Sequence, residues 1–244
     1  MSTPATGSRK LFAAALASAV DWLIEPEEPA AVRGPRAVVL DRLEERPVVA
    51  VVGLRPRCGT TTVARALAAE LAVRDPGGAA AVTSAAHGGG VALGLPAAGR
   101  LARTLAPVSG GMPKACGRLC LVPGADRAQL AGATRYLAPL VLDVDEPAEA
   151  PAAAALAGAV VVVGGPEVEP ALALVVAESL ERVGPAPVIV SNRAGQERER
   201  WGEVAAIALP EARMGARLVL AGREPRGELG RAVGELADSC GSRI

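Results

Sequence analysis

The stretch that decides the fold reads Gly53-Leu54-Arg55-Pro56-Arg57-Cys58-Gly59-Thr60-Thr61-Thr62. An apolar run at residues 48–52 precedes it, and an alanine-rich helical pattern at residues 63–71 follows it. A strand, a glycine-bearing loop and a threonine-rich helix start are the context that a phosphate-binding loop requires. Backbone N–H groups at the helix N-terminus and the helix dipole both attract phosphate oxygens there. Residues 53–62, here named the phosphate loop, therefore predict a phosphate or nucleotide site.

The phosphate loop departs from the expected pattern at the position that carries a positive charge. An ungapped alignment on G-x-x-x-x-G-K-[ST] makes Gly53 the first glycine and Thr60 the hydroxyl residue. Cys58 and Gly59 then stand where the Gly-Lys pair is expected. The lysine that contacts the β- and γ-phosphates is therefore missing, while Thr60 is the predicted Mg²⁺ ligand and Thr61 is placed near the α-phosphate.

Two arginines of the loop, Arg55 and Arg57, are the candidates to replace this lysine. Arginine is bulkier and planar, so the exchange is not neutral, and Pro56 removes one backbone donor. Since a charge-assisted contact contributes roughly 1.5–3 kcal/mol, we expect ATP to bind at least about tenfold more weakly unless an arginine substitutes. The alternative without any ligand is a strand–turn–helix start capped by threonines.

Composition and charge indicate one globular domain. The chain has 244 residues, of which 50% are hydrophobic and 21% charged, so it is long and apolar enough for a substantial core. Acidic and basic residues balance at 26 each, so no nucleic-acid partner is indicated. The four cysteines lack the spacing of a zinc site, and scattered thiols in a nucleotide fold favour a cytoplasmic protein.

Apolar runs alternate with helical patterns from residue 48 onward. Because these runs are uninterrupted, they predict strands buried on both faces, as in a three-layer α/β fold with a mostly parallel sheet flanked by helices. We predict strands at residues 48–52, 79–83, 118–122, 140–144, 160–163, 188–190 and 204–209. We predict helices at residues 60–73, 127–137, 167–183 and 227–237, and a partly helical segment at residues 91–105. Residues 47–244 form the predicted domain.

Residues 1–46 are predicted to hold a short helix and a linker rich in Pro, Glu and Arg. Phe12, Leu16, Val20 and Leu23 recur at helical spacing, which favours packing on the domain or on a partner. Membrane contact through residues 9–24 is the alternative, because these apolar residues follow Arg9 and Lys10.

Two further strand ends carry polar residues that can face the same crevice. Asp143 follows the apolar residues 139–142 and is the candidate catalytic acid and Mg²⁺ ligand. Its alternative role is to cap the next helix. Asn192 follows the strand at residues 188–190 and can contact a purine edge, although asparagine also ends strands in ordinary turns.

Taken in order, these segments resemble the MinD/ParA group of P-loop ATPases, including the CpaE/TadZ-type localisation proteins. The resemblance spans about residues 46–237 and rests on the phosphate loop, the Asp143 segment, Asn192-Arg193 and Leu209-Pro210. It implies a P-loop NTPase-like fold and an ATP–Mg²⁺ site with Asn192, Arg193 and Pro210 on the base side. It also implies dimerisation with nucleotide between the subunits.

The chain also departs from this group in a second place. The group's second strand ends in Asp-x-Asp, whereas residues 80–87 contain no acid and end in His87, more typical of a loop residue than of a base. The group's loop also carries a second lysine near its start, where this chain has Leu54 or Arg55. Losing both lysines and these acids removes charge neutralisation on which phosphoryl transfer depends. We therefore predict a degenerate MinD/ParA-like protein that binds ATP and Mg²⁺ weakly or not at all and acts through protein partners, with a homodimer among the options.

Two alternatives to that function stay open. The first is a slow ATPase that uses Arg55 or Arg57 in place of lysine. The second is a small-molecule enzyme on a related nucleotide fold.

Overall fold

The computed structural model describes residues 44–84, 93–194 and 198–241. Eight strands of these residues form one sheet in the order β3-β4-β2-β5-β1-β6-β7-β8. Every neighbouring pair is parallel except β3 and β4. The strands are β1 Val48–Gly53, β2 Ala80–Val82, β3 Lys114–Cys116, β4 Leu119–Leu121, β5 Leu140–Val144, β6 Ala159–Gly164, β7 Val188–Ser191 and β8 Ile207–Ala208.

Helices cover both faces of this sheet. The described helices are α1 Thr60–Arg74, α2 Pro96–Leu105, α3 Arg127–Thr134, α4 Ala150–Leu156, α5 Pro170–Glu181, α6 Arg198–Trp201, α7 Arg213–Leu220 and α8 Gly227–Gly241. Side chains of α1, α7 and α8 share one apolar core, and those of α2 to α6 share the other. The two cores lie on opposite faces of the sheet, because successive side chains of a strand point to opposite sides. In β1, Val49 and Val51 belong to the first core, and Ala50 and Val52 belong to the second.

The three-layer α/β fold with a mostly parallel sheet is thus confirmed. The central strands β1, β5 and β6 are buried along nearly their whole length, as uninterrupted apolar runs predict. Helix α1 spans Thr60–Arg74, one residue longer than the predicted 60–73. Its many alanines let its backbone lie close to the sheet, and it contacts β1, β2, β4 and β5.

Some elements differ from the sequence-based expectation. Strand β3, Lys114–Cys116, was not predicted, because it is a three-residue antiparallel edge strand without an apolar run. Helices α4, α6 and α7 were not predicted either. The predicted helix at residues 167–183 is shorter, because Pro170 at its first turn fixes where α5 begins. The last predicted strand, residues 204–209, is shorter in the structure and spans only Ile207–Ala208.

The described residues do not cover every sequence prediction. The proposed N-terminal helix and linker, together with the membrane-contact alternative at residues 9–24, lie almost wholly outside them, and so does His87. Residues 44–46 are the described end of the predicted linker. Arg46 contacts the domain there, since its backbone N–H donates to the carbonyl oxygen of Arg135 at 2.6 Å. No helix in the described ranges is both long and apolar enough to cross a bilayer.

Candidate functional site

The candidate site lies at the carboxyl edge of the central strands. Strand β1 ends at Gly53, where the phosphate loop begins, and β5 beside it brings Asp143 opposite Val51. Strand β7 ends at Ser191, so that Asn192 leaves the sheet at the same edge. In open parallel sheets ligands bind in this crevice. The structure therefore brings the loop, Asp143 and Asn192 to one place.

The phosphate loop is held by unusual backbone conformations at its end. Arg57 has φ 68° and Gly59 has φ 92°, both in the left-handed region, and helix α1 begins directly afterwards at Thr60. For a residue other than glycine this conformation costs roughly 1–2 kcal/mol, and such residues cluster at ligand sites. At the start of the loop, a β-carbon on Gly53 would lie 2.1 Å from Oγ1 of Thr60, so only glycine fits there.

The two threonines that begin α1 point in different directions. Thr60 is buried, and its Oγ1 lies 3.3 Å from Sγ of Cys58, on the side of the loop that faces Gly53. The hydroxyl of Thr61 instead lies beside the carboxylate of Asp143 and, as a hydrogen-bond donor, lowers the pKa of that acid. Neighbouring helix residues point about 100° apart, which accounts for the two directions. The structure thus places the hydroxyl of Thr60 against Cys58 and that of Thr61 beside Asp143, while the role of Thr60 and Asp143 as Mg²⁺ ligands stays a prediction.

Asp143 is a buried carboxylate with spare bonding capacity. It is 8% exposed, its backbone N–H donates to Oγ1 of Thr83 at 2.9 Å, and its Oδ1 has no hydrogen-bond partner. The pKa of Asp143 is raised to about 6, chiefly by burial and then by the charge of Asp145. The Thr61 hydrogen bond, the charge of Arg65 and a hydrogen bond from Ser84 lower that pKa. An unpaired buried carboxylate oxygen is suited to a metal ion or a metal-bound water.

Donor chemistry at this point fits Mg²⁺ in part. A loop hydroxyl and a strand-end carboxylate, here Thr61 and Asp143, are the pair that holds this ion in P-loop NTPases. The end of β2 adds hydroxyls rather than carboxylates, at Thr83 and Ser84. Within the described ranges, no group of three or more His, Cys, Asp or Glu side chains is placed to hold a metal ion. Any Mg²⁺ here would therefore depend on phosphate oxygens for its other ligands.

Sequence reasoning missed one charged residue of this site, Arg65. It is 1% exposed and lies one helical turn after Thr61, so both face the ends of β2 and β5. Its Nε and NH2 donate to Oγ of Ser84 at 3.3 and 2.9 Å. The available signal was an arginine inside the apolar pattern Val63-Ala64-Arg65-Ala66-Leu67, where a core helix ordinarily carries no charge.

The predicted base-side residues contact the phosphate loop directly. Nδ2 of Asn192 donates to the carbonyl oxygen of Cys58 at 2.8 Å. NH2 of Arg193 donates to the carbonyl oxygen of Arg57 at 3.0 Å and pairs with Oε1 of Glu167 at 3.2 Å. These contacts join the ends of β6 and β7 to the loop. They hold Arg57 and Cys58 in the strained turn that precedes α1.

A cavity of about 240 Å³ lies beside this contact. Its walls include Arg57, Gly59, Asn192, Arg193, Pro210 and Arg213. The predicted base-side set of Asn192, Arg193 and Pro210 is thus gathered around one space. Arg55, in the exposed part of the phosphate loop, does not line this cavity.

A phosphate loop between a central strand and the first helix of a parallel sheet defines a P-loop NTPase-like α/β fold. No protein-family model matches the sequence, and no curated protein matches it. The solved structures are more informative. Crystal structures of a ParA family ATPase from Chlorobium tepidum TLS and of the cell division ATPase MinD from Pyrococcus furiosus are similar, at TM-scores of 0.51 and 0.57 and identities of 16% and 17%.

These alignments run along nearly the whole of each solved chain. They cover 80% of this chain and 98% of the ParA family ATPase, and 81% of this chain and 99% of the Pyrococcus MinD. MinD from Aquifex aeolicus is similar at a TM-score of 0.54 and 16% identity, covering 80% of this chain and 97% of that one. At such identities the likeness establishes the fold, which is MinD/ParA-like. The resemblance noted in the sequence is confirmed at that level.

Proposed function

We propose that this chain is a MinD/ParA-like protein with impaired phosphoryl transfer, which acts by binding protein partners in positioning or regulation. One observation carries the proposal. The first residue of α1, directly after the left-handed Gly59, is Thr60, and its hydroxyl turns inward to Cys58. The pattern G-x-x-x-x-G-K-[ST] requires a lysine directly after its second glycine. Thr60 occupies that position after Gly59, so it supplies no amino group to a phosphate.

The loop geometry favours an alignment in which the loop is one residue longer than G-x-x-x-x-G between Gly53 and Gly59. Gly59 has the left-handed conformation that glycine favours, and the hydroxyl of Thr61 lies beside Asp143 and lowers its pKa. Assigning Gly59, Thr60 and Thr61 to the Gly, Lys and Ser/Thr positions satisfies both observations. On this assignment the lysine is replaced by Thr60, the Mg²⁺-facing hydroxyl is that of Thr61, and Arg55 stays near the start of the loop.

The same assignment identifies the groups that would hold nucleotide. Loop N–H groups and the N-terminus of α1 would bind the phosphates, Thr61 and Asp143 would hold Mg²⁺, and Asn192, Arg193 and Pro210 would surround the base. Bound Mg²⁺ supplies charge neutralisation to the phosphates. Without the lysine and without an acid at the end of β2, transition-state charge has fewer stabilising groups, so turnover should be slow or absent.

The proposal that this chain binds protein partners is supported by its fold, and the fold by itself assigns no particular surface to a partner. The MinC:MinD cell division protein complex from Aquifex aeolicus contains a chain similar to this one, at a TM-score of 0.53 and 16% identity over 80% of this chain and 96% of that one. A MinD/ParA-like fold can thus serve as one half of a protein complex without a change of architecture. A second copy of this chain is the other partner we consider.

The competing function is a slow ATPase that uses an arginine in place of lysine. The observation that favours it is the exposure of Arg55 and Arg57 on the phosphate loop. Their side chains have no hydrogen bond or ion pair within the described ranges. A free guanidinium at the phosphate end supplies the charge that Thr60 does not. This function requires that loss of one arginine abolish turnover.

Phosphate release from ATP with excess Mg²⁺ separates the two functions. The wild type, Arg55→Ala, Arg57→Ala and Thr61→Ala are compared with Thr104→Ala, whose hydroxyl is exposed on α2. We expect every protein to release phosphate at the background rate. Turnover that disappears in Thr61→Ala and persists in Thr104→Ala would contradict impaired catalysis, and its loss in Arg55→Ala or Arg57→Ala would assign the arginine.

A further inference from the structure

A second cavity, of about 470 Å³, lies at the β3–β4 edge of the sheet and shares no residue with the candidate site. It forms where the β3–β4 turn meets the loop after α7, since a β-carbon on Gly117 would lie 2.0 Å from the carbonyl oxygen of Gly222. We name this cavity the basic groove, because three exposed leucines and three arginines line it together with one acid. These residues are Leu93, Leu95, Leu218, Arg118, Arg223, Arg226 and Glu224.

Two arginines of the basic groove keep their charge unpaired. Nε of Arg118 pairs with Oε1 of Glu224 at 2.6 Å. The side chains of Arg223 and Arg226, by contrast, have no hydrogen bond or ion pair within the described ranges. Exposed apolar side chains that are rimmed by polar groups mark interaction sites, and unpaired cations favour a partner of opposite charge. The basic groove therefore fits an occupant that is both apolar and acidic.

Helix α5 presents a surface with these two properties. Leu174 and Val175 are 44% and 62% exposed, although α5 packs on β6 and β7. Glu178 and Glu181 lie one and two helical turns after Leu174, so they extend the same side of the helix. Neither acid has a hydrogen bond or ion pair in the described part of the chain. These four residues are named the acidic face, which stays acidic beside the single cation of Arg182 at the helix end.

One molecule cannot bring its own acidic face to its own basic groove. The acidic face is attached to β6 and β7, whereas the basic groove belongs to the β3–β4 edge. Strands β2, β5 and β1 lie between β4 and β6 in the sheet. Because neighbouring strands are about 4.8 Å apart, on the order of 20 Å of hydrogen-bonded sheet separates the two surfaces. The acidic face that reaches a basic groove must therefore come from another molecule.

We propose that the basic groove of one copy binds the acidic face of a second copy. Leu174 and Val175 then cover the leucines of the groove, and Glu178 and Glu181 meet its unpaired arginines. Because the two surfaces differ, the contact is heterologous, and every bound copy still offers a free surface to the next. Association therefore continues head to tail instead of stopping at a two-fold dimer. The inference rests on the proposed function only in taking a second copy as a protein partner, and the phosphate loop has no part in it.

Sedimentation velocity of the full chain at rising concentration tests this contact. We expect the wild type to pass from monomer to dimer and then to larger species. High salt should shift this association to higher concentration, because it screens the charges at the contact. A wild type that stays monomeric throughout, or that stops at a dimer, would overturn the inference.

Two variants that each block one surface make the test specific. The groove variant carries Arg223→Glu and Arg226→Glu, and the face variant carries Leu174→Ser and Val175→Ser. Each variant alone should self-associate at least about tenfold more weakly, since like charges repel across the contact or its apolar area is lost. A one-to-one mixture should form a dimer and nothing larger, because only one intact face and one intact groove remain. A mixture without that dimer, or wild-type association by either variant, would overturn the inference.

The matched control is Arg100→Glu with Arg103→Glu, which reverses two exposed charges at the same spacing on α2, outside both surfaces. It should associate like the wild type. Circular dichroism checks folding, and if the face variant does not fold, Glu178→Arg with Glu181→Arg replaces it. The proposed function fails separately: Mg²⁺-dependent turnover in a chain that self-associates would contradict impaired catalysis and leave this contact standing. A monomeric wild type without turnover would do the reverse.

Discussion

Gly59 lies so close to Asn192 that a β-carbon on Gly59 would stand 2.1 Å from Nδ2 of Asn192. Gly59 also has φ 92°, a conformation that costs other residues roughly 1–2 kcal/mol. We therefore expect Gly59→Ala to lower the free energy of unfolding by about 2 kcal/mol or more, measured by urea denaturation. Gly99→Ala is the matched control, because α2 has nothing within 4 Å of that β-carbon. It should be neutral or stabilising, and equal losses in both variants would contradict the proposed strain.

Restoring a lysine distinguishes the two alignments of the phosphate loop. On the alignment favoured by the geometry, Thr60→Lys should raise ATP affinity about tenfold, since one charge-assisted contact is worth roughly 1.5–3 kcal/mol. Gly59→Lys should instead weaken binding and destabilise the fold, because the side chain meets Asn192. Isothermal titration on both variants measures this. A gain with Gly59→Lys and none with Thr60→Lys would favour the ungapped alignment.

The architecture was predictable from sequence because its signals are local. Strands β1, β5 and β6 are buried on both faces, which makes their sequences uninterrupted apolar runs, and α1 follows a glycine-bearing turn. Strand β3 was not predicted because its three residues carry no strand pattern, and it is recognised as a strand only by its antiparallel pairing with β4. Helix α7 escaped for a related reason, since Gly215 interrupts a short amphipathic pattern.

The site was only partly predictable, because its details depend on distant contacts and backbone angles. Counting residues in a pattern predicts the metal-facing hydroxyl at Thr60. The left-handed φ angles of Arg57 and Gly59 and the position of Thr61 beside Asp143 are not encoded in that pattern. The bond of Asn192 to Cys58 joins residues 134 positions apart, so no local pattern contains it.

Asn192 stabilises the phosphate loop even without a ligand. Its side-chain amide bonds the carbonyl oxygen of Cys58, and Asn192→Ala leaves that carbonyl without this donor. We expect a loss of about 1 kcal/mol in the free energy of unfolding, and faster amide exchange in peptides that cover residues 54–60. The control is Gln129→Ala, which removes an exposed amide on α3. Unchanged exchange in the loop would mean that Arg193 alone holds it.

The four thiols report on the opening of both cores. Cys58, Cys116, Cys120 and Cys240 are all buried, and burial raises the pKa of Cys120 to about 12. Because the thiolate is the reactive form, we expect a thiol-specific dye at about pH 8 to label the native chain only as fast as it unfolds. Full labelling should follow denaturation, and Thr104→Cys on exposed α2 should add one fast thiol. Fast labelling of Cys58 alone would show that the phosphate loop opens independently of the fold.

Asp143 makes the stability of the domain depend on pH in a direction opposite to that of a salt-bridged acid. Its pKa is raised from the ordinary 3.8 to about 6, first by burial, so the folded state holds the proton more tightly than the unfolded state does. Stability therefore falls as pH rises from about 4 to about 6, and the full penalty is present above that range. At about pH 7.5 the ionised carboxylate should cost on the order of 2 kcal/mol.

Asp143→Asn removes this charge while keeping the shape of the side chain. In EDTA, the variant should be more stable than the wild type at about pH 7.5 by on the order of 2 kcal/mol, and the two should converge near pH 4. Urea denaturation of both proteins across this range measures the difference. If the variant is instead less stable at neutral pH, attraction to Arg65 and the hydrogen bonds from Thr61 and Ser84 outweigh burial, and Asp143 is a stabilising anion in the folded chain.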